Sequence, residues 1–249
     1  MDAINAVNSK RALRKEKLVD TAKKLRYRIG VRFPDSGLGK IADEIVAIAD
    51  EAVDRAAVIS RPNWWLRAGL VLLVIIAICI VIARAPTTEE QVSFWWKAIA
   101  LYDATKVGAA IFGATAIYLI TLETRLKRRR AIKAIRELRA MAHIIDMHQL
   151  TKAPEHLGDD FQELHIAGKP LTANEMTHYL HYCTEMLAVV SKVGQLYVMD
   201  FSDSVSQTAV DHFESLATGL SNKIWQKLMI LDRIQAEKRS GQDAETIRT

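Results

Sequence analysis

Residues 64–83 read WWLRAGLVLLVIIAICIVIA, and the only charge among them, Arg67, lies near the start. At the helical rise such a segment extends about 30 Å, the thickness of a bilayer's hydrocarbon core. The sixteen residues after Arg67 are all apolar or glycine, a run that a helix buried in a soluble protein seldom carries. The stretch therefore predicts a membrane-spanning helix. Arg67 can extend its guanidinium back to the headgroups, and Trp64 and Trp65 suit the interfacial belt. Arg84 and Pro86 close the span.

Working outward, the polar link PTTEEQ at 86–91 leads to FWWKAIALYDATKVGAAIFGATAIYLITL at 94–122. Its uncharged core, Val107–Leu122, is short for a crossing. Extended back through Lys106 and Asp103, three positions apart and able to pair on one face, it reaches Trp95 and Trp96 at the outer interface. A second crossing over about 98–122, tilted or longer than the bilayer, is expected, making a hairpin. RLKRRRAIKAIRELR at 125–139 follows at once, with eight basic residues and one acidic. Positive charge flanking both ends of the hairpin predicts that the two termini lie in the cytoplasm, in a protein that passes the membrane twice.

Composition agrees with an all-α chain. Half of the 249 residues are hydrophobic and a quarter charged, mean hydropathy is +0.03, and no period-2 alternation of strand length occurs. The net charge of +5 is unevenly distributed: residues 1–130 hold 22 Lys+Arg against 13 Asp+Glu, and 131–249 hold 12 against 16. Because the positive charge gathers around the apolar segments, anionic lipid explains it better than nucleic acid does. Cys79 and Cys183 are too few and wrongly placed for a disulfide framework, and the N-terminus lacks the apolar core of a signal peptide.

The expected layout is an N-terminal cytosolic helical arm over 1–62, a transmembrane hairpin over 63–124, a cytosolic helical domain over 125–239 and a flexible tail over 240–249. Within the arm, residues 3–28 place Ile4, Val7, Leu13, Leu18, Ala22 and Leu25 on one side of a basic amphipathic helix. That stripe suits a membrane surface or the rest of the protein equally well. The turn formers of RFPDSGLGK precede a helix over about 40–59. Beyond 131, one helix runs from the membrane to about Leu150. TKAPEHLGDD and an irregular LHIAGKPLT follow, then helices near 172–200 and 204–238. Thr172 with Glu175 forms a capping box at the start of the first of these.

The two apolar helices differ in character. The first is built of branched aliphatics and Leu. The second carries Ala104, Gly108, Ala109, Ala110, Gly113 and Ala114 at four-residue spacings that let backbones approach, with Gly108, Ala109 and Gly113 as helix-packing candidates. It also carries Phe112, Thr115 and Tyr118, candidates for lining or constricting a pore. Two crossings cannot enclose water, so a pore requires a homo-oligomer. Arg125, Lys127, Arg128, Arg129 and Arg130 are the candidate contacts to anionic ligand or lipid.

Other chemistry is thinly represented. His178, His181 and Glu185 share a helix face, and His143, Asp146 and His148 form a looser group, but neither is a zinc signature. HExxH, paired CxxC, GxSxG and a Gly-rich phosphate loop are all absent, so no cofactor, no metal and no enzyme activity is expected. Arg136 and His143, with six residues between them and Glu137 after the arginine, resemble the Arg-x4-6-His motif of HEPN ribonucleases. A membrane-tethered nuclease of that kind is one alternative. A membrane-anchored helical scaffold or regulator without conduction is another.

AHIIDMHQLTKAPE at 142–155, following a hairpin and an Arg-rich helix, resembles the membrane effectors of bacterial antiphage defence, of the Hailong type. The resemblance implies an oligomeric channel-like effector, held closed by a nucleotide-derived signal and opening to depolarise the infected cell. The expected partners are then other copies of the chain, the bilayer, and an oligonucleotide or nucleotide-derived regulator made by a neighbouring gene product.

Overall fold

The computed structural model describes residues 2–83, 94–150, 165–166 and 169–246. It is all-helical apart from one minimal ribbon. Six helices run in the order α1 (Asp2–Arg32), α2 (Gly37–Ser60), α3 (Trp64–Ala83), α4 (Phe94–Leu150), α5 (Ala173–Leu196) and α6 (Ser204–Thr246). Between α4 and α5, β1 (His165–Ile166) and β2 (Lys169–Pro170) pair antiparallel, inside the stretch expected to be irregular. The links at 84–93 and 151–164 lie outside the described residues, and so do TKAPE of the 142–155 string and the whole of TKAPEHLGDD. The helices overrun their expected ends: α1 reaches Arg32, α2 begins at Gly37 and α6 continues to Thr246.

The chain divides into two compact units, Met1–Ser60 with Arg130–Thr249, and Arg61–Arg129. The first unit has a conventional core. Of the α1 stripe, Ala22 and Leu25 are buried and Leu18 is half-buried, with Val19 and Ile29 joining them in the core, and α1 packs on α2 and α5. This half of the amphipathic helix is thus an internal packing element. Ile4, Val7 and Leu13 have side chains outside the described set.

The turn between α1 and α2 relies on Asp35, whose φ of 55° is left-handed, a conformation that Asp tolerates better than most side chains. The buried Ser36 hydroxyl donates to Phe33 O at 2.8 Å and accepts from the Gly39 amide at 3.2 Å, capping α2. Along α2, Ala42, Ala49, Ala52 and Ala56 keep the buried face small, which lets neighbouring backbones come close.

From residue 131, α4 turns Ala131, Ala134, Leu138, Met141, Ala142 and Ile145 inward, a spacing of three and four that defines one helical face. Arg55 of α2 pairs with Glu137 of α4, and with Glu51 of its own helix at 2.7 Å. Donating to the Glu137 carboxylate holds the Arg55 guanidinium above its usual range. At the start of α5, the Thr172 hydroxyl accepts from the Glu175 amide at 3.2 Å, and Glu175 Oε2 accepts from the Thr172 amide at 2.9 Å. The expected capping box is present. Asp203 caps α6 in the same manner, accepting from the amide and hydroxyl of Ser206, both at 2.9 Å. α6 then buries Val210, Phe213, Ala217, Leu220, Ile224, Leu228 and Leu231, its largest interface being with α5.

The second unit contains α3 and the first part of α4. Its large apolar side chains face outward: Trp65 is 90% exposed, Leu72 58%, Ile117 68% and Ile120 64%. Among the described residues, one helix, Gly108–Leu150, contains a window long and apolar enough to cross a membrane. None of that window is buried in the chain, and the described apolar run Arg67–Ile76 is shorter.

Candidate functional site

Asn63 N–H donates to Glu123 Oε1 at 3.3 Å, and Lys127 Nζ lies 2.9 Å from the same oxygen. Both charged side chains are largely withdrawn from solvent, 13% exposed for Lys127 and 17% for Glu123. Asn63 precedes α3, and its carbonyl accepts from the Arg67 amide at 3.2 Å. Glu123 therefore ties the start of α3 to a point near residue 123 of α4. Sequence inspection gave Glu123 no role. The signal that could have found it is its status as the one acid between Lys106 and Arg136.

The small residues of α4 between Gly108 and Ala114 have no neighbouring helix packed on them among the described residues. A Cβ built on Gly108 or on Gly113 would meet nothing within 4 Å, and Ala109 is exposed. No other described residue fills this face. Of the three pore candidates, Phe112 and Thr115 are half-buried and Tyr118 is 63% exposed. Six positions at 100° each separate Phe112 from Tyr118 by about 120° around the helix, so the three form a broad band and not a line. The Thr115 hydroxyl donates to Ile111 O at 2.8 Å and that of Thr121 to Ile117 O at 2.6 Å, which satisfies these donors within the helix. A shallow concavity of 320 Å³ runs past Ala114, Tyr118, Thr121 and Arg125. It brings Tyr118 and Arg125 together and leaves out Phe112 and Thr115.

Of the five basic candidates, Arg125, Arg129 and Arg130 are exposed. Lys127 is engaged by Glu123, and Arg128 is half-buried. The free anion-binding capacity therefore rests on the three exposed arginines.

The histidine face of α5 is organised differently from what its spacing suggested. Glu185 pairs with Arg28 of α1, whose guanidinium stands 5.8 Å from the Tyr182 ring centre. The His181 ring meets Trp225 edge-on at 5.9 Å. Burial, followed by the positive charge of Arg32, lowers the His178 pKa. Among the described residues no group of three His, Cys, Asp or Glu is placed to hold a metal ion. Arg136 and His143 are both exposed on α4, while Glu137 is committed to Arg55. Cys183 lies wholly inside the core, where burial pushes its thiol up to about 12, far from the range of a nucleophile.

No family model, curated protein or solved structure matches the chain. What the site can do follows from its own chemistry. It presents an apolar, unburied helix with a small-residue face, ending in exposed arginines. This arrangement suits lipid contact, helix–helix contact and anion binding.

Proposed function

We propose that the chain is a membrane protein whose segments 64–83 and about 98–122 cross the bilayer as a hairpin, and that several copies assemble around the second crossing into a channel. The observation that carries this reading is the open face at Gly108 and Gly113. Backbone-exposing glycines cost helix stability, and in a bilayer close helix approach is what compensates. The described part of α3 does not occupy that face, so another subunit is the partner that would. The hairpin is supported by the Asn63–Glu123 hydrogen bond, which joins the start of α3 to α4 near the end of the second crossing. Both termini in the cytoplasm follow from the basic residues that flank the hairpin.

Regulation by an anionic nucleotide-derived ligand would use Arg125, Arg129 and Arg130, and its affinity should fall steeply with salt. A role in antiphage defence rests on the resemblance of residues 142–155. A second reading, a membrane-anchored scaffold without conduction, is favoured by the Thr115 and Thr121 hydroxyls, both already bonded to their own helix.

Ion flux from liposomes containing the purified full-length protein separates the two readings. Conduction that is lost in Gly113→Leu, together with a fall in oligomer mass, is the expected result. An assembled protein that never conducts, in the presence or absence of nucleotide, would leave the scaffold.

A further inference from the structure

A groove between α1 and α5 plays no part in that proposal. It encloses about 580 Å³, a volume typical of small-ligand sites. Leu18, Leu25, Val189, Leu196 and Met199 form its walls, and three of these are core residues, exposed by only 2% (Leu25), 5% (Val189) and 4% (Leu196). Walls continuous with a packed core do not collapse to close the gap.

The polar groups along the groove are mostly engaged elsewhere. The Thr21 hydroxyl donates to Lys17 O at 2.7 Å, Gln195 Nε2 donates to Glu214 at 2.6 Å, and Glu185 pairs with Arg28. Lys17 and Lys192 also line the groove, and both are exposed. Neither is paired with a carboxylate among the described residues. The groove thus offers an aliphatic trough and two positive charges. It has no aromatic wall on which a nucleobase could stack.

We propose that this groove binds a single-chain anionic amphiphile of the long-chain fatty acid type, its carboxylate held by Lys17 and Lys192 and its alkyl chain lying along the aliphatic walls. Charge complementarity selects the head, and the flexible, ring-free lining selects the tail. The reading is independent of conduction, because every lining residue belongs to the helical unit that excludes residues 61–129.

The test uses the full-length protein in phosphatidylcholine nanodiscs and a palmitate carrying a photoreactive diazirine, with crosslinks mapped by mass spectrometry. Label is expected on peptides covering 17–25 and 185–199. Ala188 lines the groove at an exposed position, so Ala188→Trp should fill the trough without disturbing the core and cut that label about tenfold. Lys192→Glu should weaken labelling by a similar factor, and hexadecanol should compete poorly. Label on the two apolar segments serves as the internal control. Groove label that is absent while the control is present would overturn the proposal, as would label indifferent to Ala188→Trp. Absence of groove label with an oligomer mass altered by Ala188→Trp would assign the groove to a second copy of the chain.

Discussion

Gly194 lies in the last turn of α5, buried where α4, α5 and α6 meet, and substituting it asks whether packing or backbone entropy chose the residue. A glycine inside a helix costs about 1 kcal/mol relative to alanine, so Gly194→Ala should stabilise the protein if nothing obstructs the added methyl. That methyl would lie 3.2 Å from Phe213 Cδ1, 3.5 Å from Phe213 Cε1 and 3.6 Å from Leu138 Cδ1. Phe213 is fully buried and has little room to retreat, so the ring contact costs about 2 kcal/mol, mid-range for overpacking. The net expectation is a loss of about 1 kcal/mol.

Replacing Phe213 by Val, which has no δ or ε carbons, removes both contacts and leaves only the ordinary contact with Leu138. On that background Gly194→Ala should stabilise by about 1 kcal/mol, so the two sites couple by about 2 kcal/mol. Thermal unfolding of the four full-length proteins in one detergent, followed by circular dichroism, measures the cycle. The reasoning fails if Gly194→Ala raises the melting temperature of the parent protein, or if its effect has the same sign on both backgrounds.

Three further outcomes follow from groups outside that cycle. Burial pushes the Cys183 thiol and the Tyr197 phenol each up to about 12 and raises Tyr179 as well. Their stabilising effect is complete below the unfolded-state values and is lost as pH rises from about 9 to 12, at about 1.4 kcal/mol per pH unit for each group ionised only when unfolded. Melting temperature should fall steeply across that window, and Cys183 should resist alkylation at pH 8 until the protein is unfolded; rapid native alkylation would contradict its burial. Glu123→Ala removes the acceptor for the Asn63 amide and the partner of Lys127, costing about 1 kcal/mol. Chymotrypsin should then cut faster after the exposed Trp64 and Trp65, with Glu123→Gln restoring part of the protection, and unchanged cleavage would mean that Glu123 does not hold the start of α3.

The features that sequence predicted well are those decided within a few residues. The capping box at Thr172 and Glu175 depends on two side chains and two amides three positions apart. The buried series on α6 depends on helical spacing alone. Spacing says which residues share a face, but it does not say what that face meets. Glu185 shares a face with His178 and His181, as a metal ligand would, yet its partner is Arg28, 157 residues away in the chain. The apolar stripe of α1 fitted a bilayer or a protein core, and α2 and α5 decided the matter for Val19–Ile29 by burying it. The same logic applies to α4, whose one continuous helix carries two kinds of apolar face. Ala134, Leu138 and Ile145 are buried because neighbouring helices supply the surface that excludes water from them. Ile111, Ile117 and Ile120 are equally apolar and remain exposed. An unburied aliphatic side chain forfeits about 1.5–3 kcal/mol of the stabilisation that burial would give, and on the proposed reading lipid, a second subunit or both supply that surface. Chain composition does not distinguish the two, and within that proposal the glycines favour a second subunit, because lipid gains little from a missing side chain whereas an approaching helix gains direct contact with the backbone at Gly108 and Gly113.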